Sequence, residues 1–432
     1  MIALLGFITI AVVLVLIMTK RASTIVALMV VPIVTALIGG AGGKVGTYIV
    51  NGVKTISPTA AMFIFAVLFF GVLSDAGMFD PVIKGILKTV GRDPLKITVA
   101  AAILAMLIHL DGSGVVTFSI AIPAMLPLFT QLKMDNRILA AVVALGAGVM
   151  NMVPWGGPTI RAASALNAPI TQVYNPMVIP QVAGIIAVLV IAYFMGRKEK
   201  SRLGLIEDGA GVAMEQTLTE EQQKLRRPKL FWFNVIITVV ALFVMIKGWQ
   251  TPTTVFMVAF AVALIANYPN PKHQSERINA HAKSALLMAS VLFAAGVFTG
   301  IMKDSNMLAE MAKAAAAVIP PSLGAHFPLI IGLVAMPLSL LFDPDSFYFG
   351  VMPVLAATAS TFGVESVDVA RAAIAGQMTL GFPISPLTPA TLLLVGLSGI
   401  ELGDHQKFTF KWAWIVSLVI VVVAVLTGVI PF

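Results

Sequence analysis

Ile108-His109-Leu110-Asp111-Gly112-Ser113-Gly114-Val115 interrupts an otherwise apolar stretch with four small or charged residues. Around it the chain is apolar from Ile97 to Leu110 and again to Phe129, with Arg92 and Lys96 before it and Lys133 and Arg137 after. Each arm has about 16 residues, short of the ~20 that a membrane crossing needs. Lys and Arg mark the cytoplasmic side, so both ends of the stretch are expected there. The shape that satisfies both facts is a re-entrant hairpin spanning about residues 94–133, with Asp111 to Gly114 at its tip. Irregular backbone at membrane depth is tolerated only inside protein or beside a watery cavity.

The pattern occurs a second time. Gly324 to Leu341 is apolar, Asp343-Pro344-Asp345-Ser346 is polar, and Phe347 to Phe362 is apolar again. Asp75 with Met78 precedes the first hairpin as Asp304 with Met307 precedes the second, and Pro123 follows the first tip as Pro353 follows the second. Gly148 and Gly376 lead into two interrupted helices, Pro154-Trp-Gly156-Gly157-Pro-Thr159 and Pro383-Ile-Ser385-Pro-Leu-Thr388-Pro-Ala-Thr391. The offset stays at about 230 residues. Two apolar halves with breaks in corresponding places are the signature of a secondary transporter whose site lies between inverted repeats.

The chain has 432 residues, 59% of them hydrophobic and 11% charged, and a mean hydropathy of +0.97. That composition belongs to a polytopic membrane protein. With no cysteine, disulfides and thiolate metal sites are excluded. The net charge of +8 sits in short loops, where it sets topology, and no nucleic-acid partner is expected. Met1 to Met18 has no basic residue before its apolar run, so it is expected to stay as a first helix.

The fold class expected is all-α, with about ten transmembrane helices, two opposed re-entrant hairpins and two broken helices. Residues 1–195 form the first repeat, with crossings at Met1–Met18, Ala22–Ala41 and Ser57–Gly77, a polar link at Gly42–Lys54, and an amphipathic surface helix over Phe79–Val90. Ile138 to Val153 then rises to the first break, and Met177 to Met195 returns. Residues 196–229, which mix Arg197, Lys198, Lys200 and Arg202 with Glu207, Asp208, Glu220 and Glu221, form a cytoplasmic linker. Residues 230–432 form the second repeat: Phe231–Ile246, Val255–Tyr268, a basic loop with Lys272, Arg277 and Lys283, Ala285–Met302, an amphipathic Asn306–Val318, and a hairpin at about 324–362. Val369–Phe382 and Thr391–Ile400 make the second broken helix, and Phe410–Ile430 ends the chain.

Ionisable groups at membrane depth are costly and point to function. Here they are Asp111, Asp343, Asp345, Arg161 and His109. Tip carboxylates beside free carbonyls can coordinate a hard cation, with Asp343 and Asp345 as the metal candidates. The same carboxylates, crowded and desolvated, can instead carry protons, or each can cap the helix after it. Gly112, Ser113 and Gly114 bring backbone N–H groups to a ligand, joined by Asn151, Gly156, Gly157 and Thr159 from one break and Ser346, Ser385, Thr388 and Thr391 from the second half. Half-helix N-termini favour a carboxylate. Arg161, whose repeat counterpart is Ala390, either grips a substrate carboxylate or pairs with one of the Asp residues. His109 is either a buried hydrogen-bonded histidine or a proton carrier. Asp75 and Asp304 are expected to hydrogen-bond at helix ends. No nucleotide-binding or catalytic-metal pattern is present, and no enzyme is expected.

These residues resemble the citrate–metal:proton symporter family (CitMHS) of the ion transporter superfamily over essentially the whole chain. The resemblance is carried by Leu16-Ile-Met-Thr-Lys-Arg21, Asp75-Ala-Gly-Met-Phe-Asp-Pro81, Leu110-Asp-Gly-Ser-Gly114, Asn151-Met-Val-Pro-Trp-Gly-Gly-Pro-Thr159 with Arg161, and Asp343-Pro-Asp-Ser-Phe-Tyr-Phe-Gly350. It implies uptake of citrate across a prokaryotic plasma membrane as a complex with Mg2+ or another divalent cation, coupled to protons, by a homodimer in which a scaffold holds a moving transport unit. No tightly bound cofactor is implied. Where the family's first tip often reads Asp-Gly-Asp-Gly, this chain has Ser113, which predicts an altered metal requirement. The alternatives are a metal-independent or sodium-coupled di- or tricarboxylate transporter of the same fold, an inorganic-ion antiporter, and a membrane-embedded enzyme, for which no nucleophile–base pair or metal triad is visible.

Overall fold

The computed structural model describes residues 1–203, 220–324 and 326–432. Every regular element among them is helical. Helices α1 (Ile2–Met18) and α2 (Thr24–Ile38) pair near the surface, joined by a hydrogen bond between the Thr9 and Thr35 hydroxyls at 2.7 Å. Helix α3 (Val45–Asp75) starts earlier than expected: most of the Gly42–Lys54 link is helical. The short amphipathic α4 (Asp80–Val90) leads to α5 (Pro94–Ile108), whose first turn is capped by Asp93. After the tip come α6 (Gly114–Gln131) and α7 (Asn136–Met150). A break precedes α8 (Gly157–Leu166) and the one-turn α9 (Ile170–Tyr174).

Helix α10 (Val178–Leu203) carries on past Met195 into the segment expected to be linker. The reason is a clamp on the hairpin base. Glu199, buried at that end, accepts the Asp135 N–H at 2.7 Å, Arg202 donates to the Lys133 carbonyl at 2.8 Å, and Lys200 pairs with Asp93 at 2.9 Å. Glu207 and Asp208 lie outside the described residues, and Glu220 and Glu221 open the small α11 (Glu220–Leu225).

In the second half, α12 (Phe231–Ile246) and α13 (Pro252–Asn267) precede α14 (Pro271–Asp304). The basic loop expected around Lys272, Arg277 and Lys283 is instead the first three turns of α14. Asn270 caps it by accepting the Lys272 N–H at 2.9 Å, and no glycine or proline interrupts it before Gly296. Amphipathic α15 (Met307–Ala316) and the single turn α16 (Pro321–Gly324) lead to α17 (Phe327–Leu338). A wide π-type turn at Ser346–Val351 opens α18 (Met352–Thr361). Helix α19 (Ser366–Ile374) stops well before Phe382, so the second break is much longer than expected. Then come α20 (Pro389–Ser398) and α21 (Leu402–Leu426).

Among the described residues, seven helical stretches are long and apolar enough to cross a membrane. Two of the seven are the arms of the first hairpin. Apolar side chains of α2, α10, α12 and α13 face outward, Trp232, Ile236, Val258 and Ile186 among them, as expected where lipid is the solvent.

The axis of the molecule is the long pair α3 and α14. Small residues let membrane helices approach until backbones touch. A side chain at Gly52 would overlap the Gly296 carbonyl, and one at Gly300 would meet the Tyr48 carbonyl. Asp304 at the end of α14 accepts from Asn51 of α3 at 2.9 Å. At the other end, Asp75 of α3 meets Arg277 and His281 of α14. Gly52→Leu or Gly300→Leu should therefore lower the thermal stability of detergent-purified protein by several °C or abolish folding, since the obstacle is backbone, whereas Gly46→Ala, with open space around it, should be neutral.

Candidate functional site

The first hairpin turns on a 3-10 turn at His109–Asp111 and on Gly112, whose φ of 76° suits glycine. The Asp111 carboxylate accepts the Ser113 N–H at 2.8 Å, and the Ser113 hydroxyl accepts the Val116 N–H at 3.3 Å, opening α6. A Cβ at Gly114 would meet the Phe382 ring and the Ala390 methyl, so this glycine lets the tip lie against the second break. Trp155 donates to the Leu110 carbonyl at 2.7 Å, stacks on Phe70 and meets Phe256 edge-on. It thus holds the tip to α3 and α13.

His109 lies fully buried on Phe382. The Asn151 amide nitrogen donates to the Met378 carbonyl at 2.7 Å, which turns its oxygen toward His109 Nε2 at 3.3 Å. Nε2 then carries a hydrogen toward that oxygen, and Nδ1 lies 2.8 Å from the Thr117 hydroxyl, which itself donates to the Ser113 carbonyl at 2.8 Å. The ring is buried and has a hydrogen-bonding neighbour at each nitrogen.

Both breaks leave carbonyls without helical partners, and side chains from elsewhere supply donors. Thr159 donates to the Met152 carbonyl, Thr388 and Thr391 both donate to that of Phe382, and Tyr348 donates to that of Gln377. Ser339 accepts the Met378 N–H at 2.9 Å, and His405 and Gln406 reach the carbonyls of Pro383 and Ile384. These captures outcompete the helix that periodicity suggests for 375–382. Ser385 accepts the Leu387 N–H at 3.2 Å, and Gly156 packs directly on the Asn151 carbonyl.

A cavity of about 450 Å³ forms where these parts meet. Of the residues expected at the site, Asp111, Gly112, Ser113, Gly114, Asn151, Gly157, Arg161 and Thr388 line it. Gly156, Thr159, Ser346, Ser385 and Thr391 do not; they shape the breaks and turns behind it. Neither Asp343 nor Asp345 lines it, although Pro344 between them does. Asp343 accepts the backbone N–H groups of Asp345 and Ser346 and the Ser346 hydroxyl, sharing with Asp111 the bond to the N–H two residues on. Asp345 pairs with Arg161, Nε to Oδ1 at 2.7 Å, both side chains nearly buried. Arg161 also donates to the Gly157 carbonyl at 3.2 Å. The expected cation pair at the second tip is thus engaged in capping and in an ion pair. Among the described residues, no group of three His, Asp or Glu stands close enough to hold a metal ion.

The opposite wall was not legible. It comes from α3, through Phe63, Phe70, Gly71 and Ser74, and from α14, through His281, Ser284 and Met288. Taking this part of α14 for a loop hid His281. A second cavity, of about 780 Å³, lies further along α3: Thr55, Thr59 and Met62 of α3 and Ala163, Ser164 and Asn167 at the end of α8 line it.

The CitMHS family model, described as citrate transporter, matches residues 13–376. A protein of Bacillus subtilis named citrate transporter is 45% identical over all 432 residues of both chains. The Mg(2+)/citrate complex secondary transporter of the same organism is 42% identical over 429 residues, 99% of each chain. Among solved structures, the YdaH transporter of Alcanivorax borkumensis superposes with a TM-score of 0.61 at 14% identity, covering 88% of this chain and 87% of that one. MtrF of Neisseria gonorrhoeae gives 0.60 at 13%, covering 90% and 85%. At such identities the two structures establish a shared fold.

The Arg161–Asp345 pair ties α8 to the second tip. Breaking a buried pair typically costs about 3–5 kcal/mol, because one charge stays behind. Arg161→Ala and Asp345→Ala should each destabilise the purified protein on this scale, and the double variant by clearly less than the sum, measured by thermal denaturation. Additive losses would show that the two side chains do not act as a pair.

Proposed function

The chain belongs to the CitMHS citrate transporter family, and we propose that it imports citrate by proton symport, as a complex with Mg2+ or another divalent cation. It is a multi-pass protein of a prokaryotic cell membrane and a transporter, not an enzyme. The observation that carries the reading is the cavity between α3 and α14 on one side and the hairpin tip with both broken helices on the other. There Gly157 and Pro158 at the start of α8 line the cavity together with Arg161, one turn on. A helix N-terminus and a guanidinium together favour a carboxylate. The Asp345 carboxylate keeps Arg161 neutralised at membrane depth when the substrate is away, and the guanidinium face toward the cavity meets the substrate when it arrives.

The cation travels on citrate. Citrate's own oxygens are hard ligands of the kind Mg2+ prefers, Asp111 at the tip is the protein carboxylate within reach of the complex, and Asp343 and Asp345 have other partners. The two cavities strung along α3 and α8 support alternating access of the elevator type. In that movement the hairpins and broken helices slide as a unit along the α3–α14 pair, and the two halves act as inverted repeats. The outward apolar surfaces leave room for a homodimer. A second reading, uptake of free citrate or a related acid without metal, is favoured by Ser113 standing where a second carboxylate would strengthen cation binding.

Purified protein in liposomes should accumulate labelled citrate when the outside is acidified, lose the accumulation with a protonophore, and depend on added Mg2+. Uptake undiminished by chelators would favour the metal-free reading. Accumulation unaffected by the protonophore but driven by sodium would overturn proton coupling.

A further inference from the structure

His281 occupies a place that the repeat does not require. Counting back the 229 residues that separate Asp75 from Asp304, its counterpart is Gly52, and that of Gly300 is Gly71. Gly52 and Gly300 touch and draw the two long helices together. At the corresponding place the imidazole of His281 lies flat over Gly71, where a Cβ would collide with the ring. The ring faces the cavity that also holds Arg161 and Asp111. Its Nε2 lies 2.9 Å from Asp75 Oδ2, and Arg277, one turn earlier on α14, binds the same oxygen at 3.1 Å. Arg226 donates to the Ser74 and Asp75 carbonyls and pairs with Asp80.

The Asp75 oxygen that accepts from Arg277 also faces Nε2, so Nε2 keeps its hydrogen to donate, and Nδ1 is left as the ring's basic atom. From these contacts we propose, resting on the citrate-transport reading above, that His281 is the coupling proton site. A proton from solution binds the Nδ1 lone pair, the ring becomes an imidazolium whose charge Asp75 supports, and the cavity gains a second cation across from Arg161. A polycarboxylate then binds between the two. When the substrate leaves, the proton leaves Nδ1 with it. Binding and protonation favour each other reciprocally, so substrate and proton occupy the cavity together. The charged groups facing the ring are Asp75 from α3, Arg277 from its own helix, and Asp111 and Arg161 from across the cavity, with Arg226 and Asp80 behind Asp75.

The test is calorimetric binding of Mg2+–citrate to purified protein between about pH 5.5 and about pH 8, a range that brackets the imidazole value. Proton uptake is followed in parallel in buffers of different ionisation enthalpy. Citrate's own ionisation is common to all variants and cancels in the comparison. Wild-type affinity should fall by up to about tenfold per pH unit more than that of His281→Gln, the limit for one linked proton, and the variant should take up about one proton fewer. Asp75→Asn, which removes the support for the imidazolium, should move the wild-type transition to lower pH, and covers the case in which His281→Gln fails to fold. An unchanged pH dependence and proton count in His281→Gln, or an unshifted transition in Asp75→Asn, would overturn the assignment. Failure of the wild type to bind citrate at any pH would instead overturn the transport reading beneath it.

Discussion

A carbonyl that loses its helical partner inside a membrane must find a donor in the protein, because the bilayer offers none. Much of this molecule's interior answers that demand. The two breaks free carbonyls at Met152, Gln377, Met378, Phe382, Pro383 and Ile384, and Thr159, Tyr348, Asn151, Thr388, Thr391, His405 and Gln406 supply the hydrogens. Several donors come from distant parts of the chain. The breaks are therefore held by side chains as well as by backbone, and both border one cavity.

Charge follows a similar rule. Arg161 and Asp345, Arg277 and Asp75, and Lys200 and Asp93 each join segments far apart in sequence. The buried Arg161–Asp345 pair neutralises two groups that would be costly alone, and leaves the guanidinium beside the cavity. The α3–α14 pair meets it from the other side with a half-exposed histidine. Arg161 and His281 thus stand on the walls of one cavity, each beside a carboxylate.

The α3–α14 contact differs at its two ends, and the difference divides labour. Glycine meets glycine at Gly52 and Gly300, while the imidazole lies over Gly71 and forms part of the cavity wall. Trp155, stacked on Phe70 and tied to Leu110, is the aromatic contact between this pair and the hairpin tip.

Much of this was legible in residue order. Mean hydropathy, the polar stretches at Asp111 and Asp343, and the prolines at 154, 158, 383, 386 and 389 determined an all-helical membrane protein with interrupted helices, since these are local consequences of solvent and backbone chemistry. They also pointed to Asp111, Ser113, Asn151 and Arg161, because polar groups at that depth need a reason. What the sequence left open was partnership. It offered Arg161 both a substrate and an Asp, gave Asp343 and Asp345 a cation, and hid His281 in a basic stretch taken for a loop. A long helix with a charged end and a charged loop have similar composition, and a hydrogen bond between residues 184 or 206 positions apart leaves no local trace. Only the folded chain decides which carboxylate a cation meets, because that depends on which helices pack side by side.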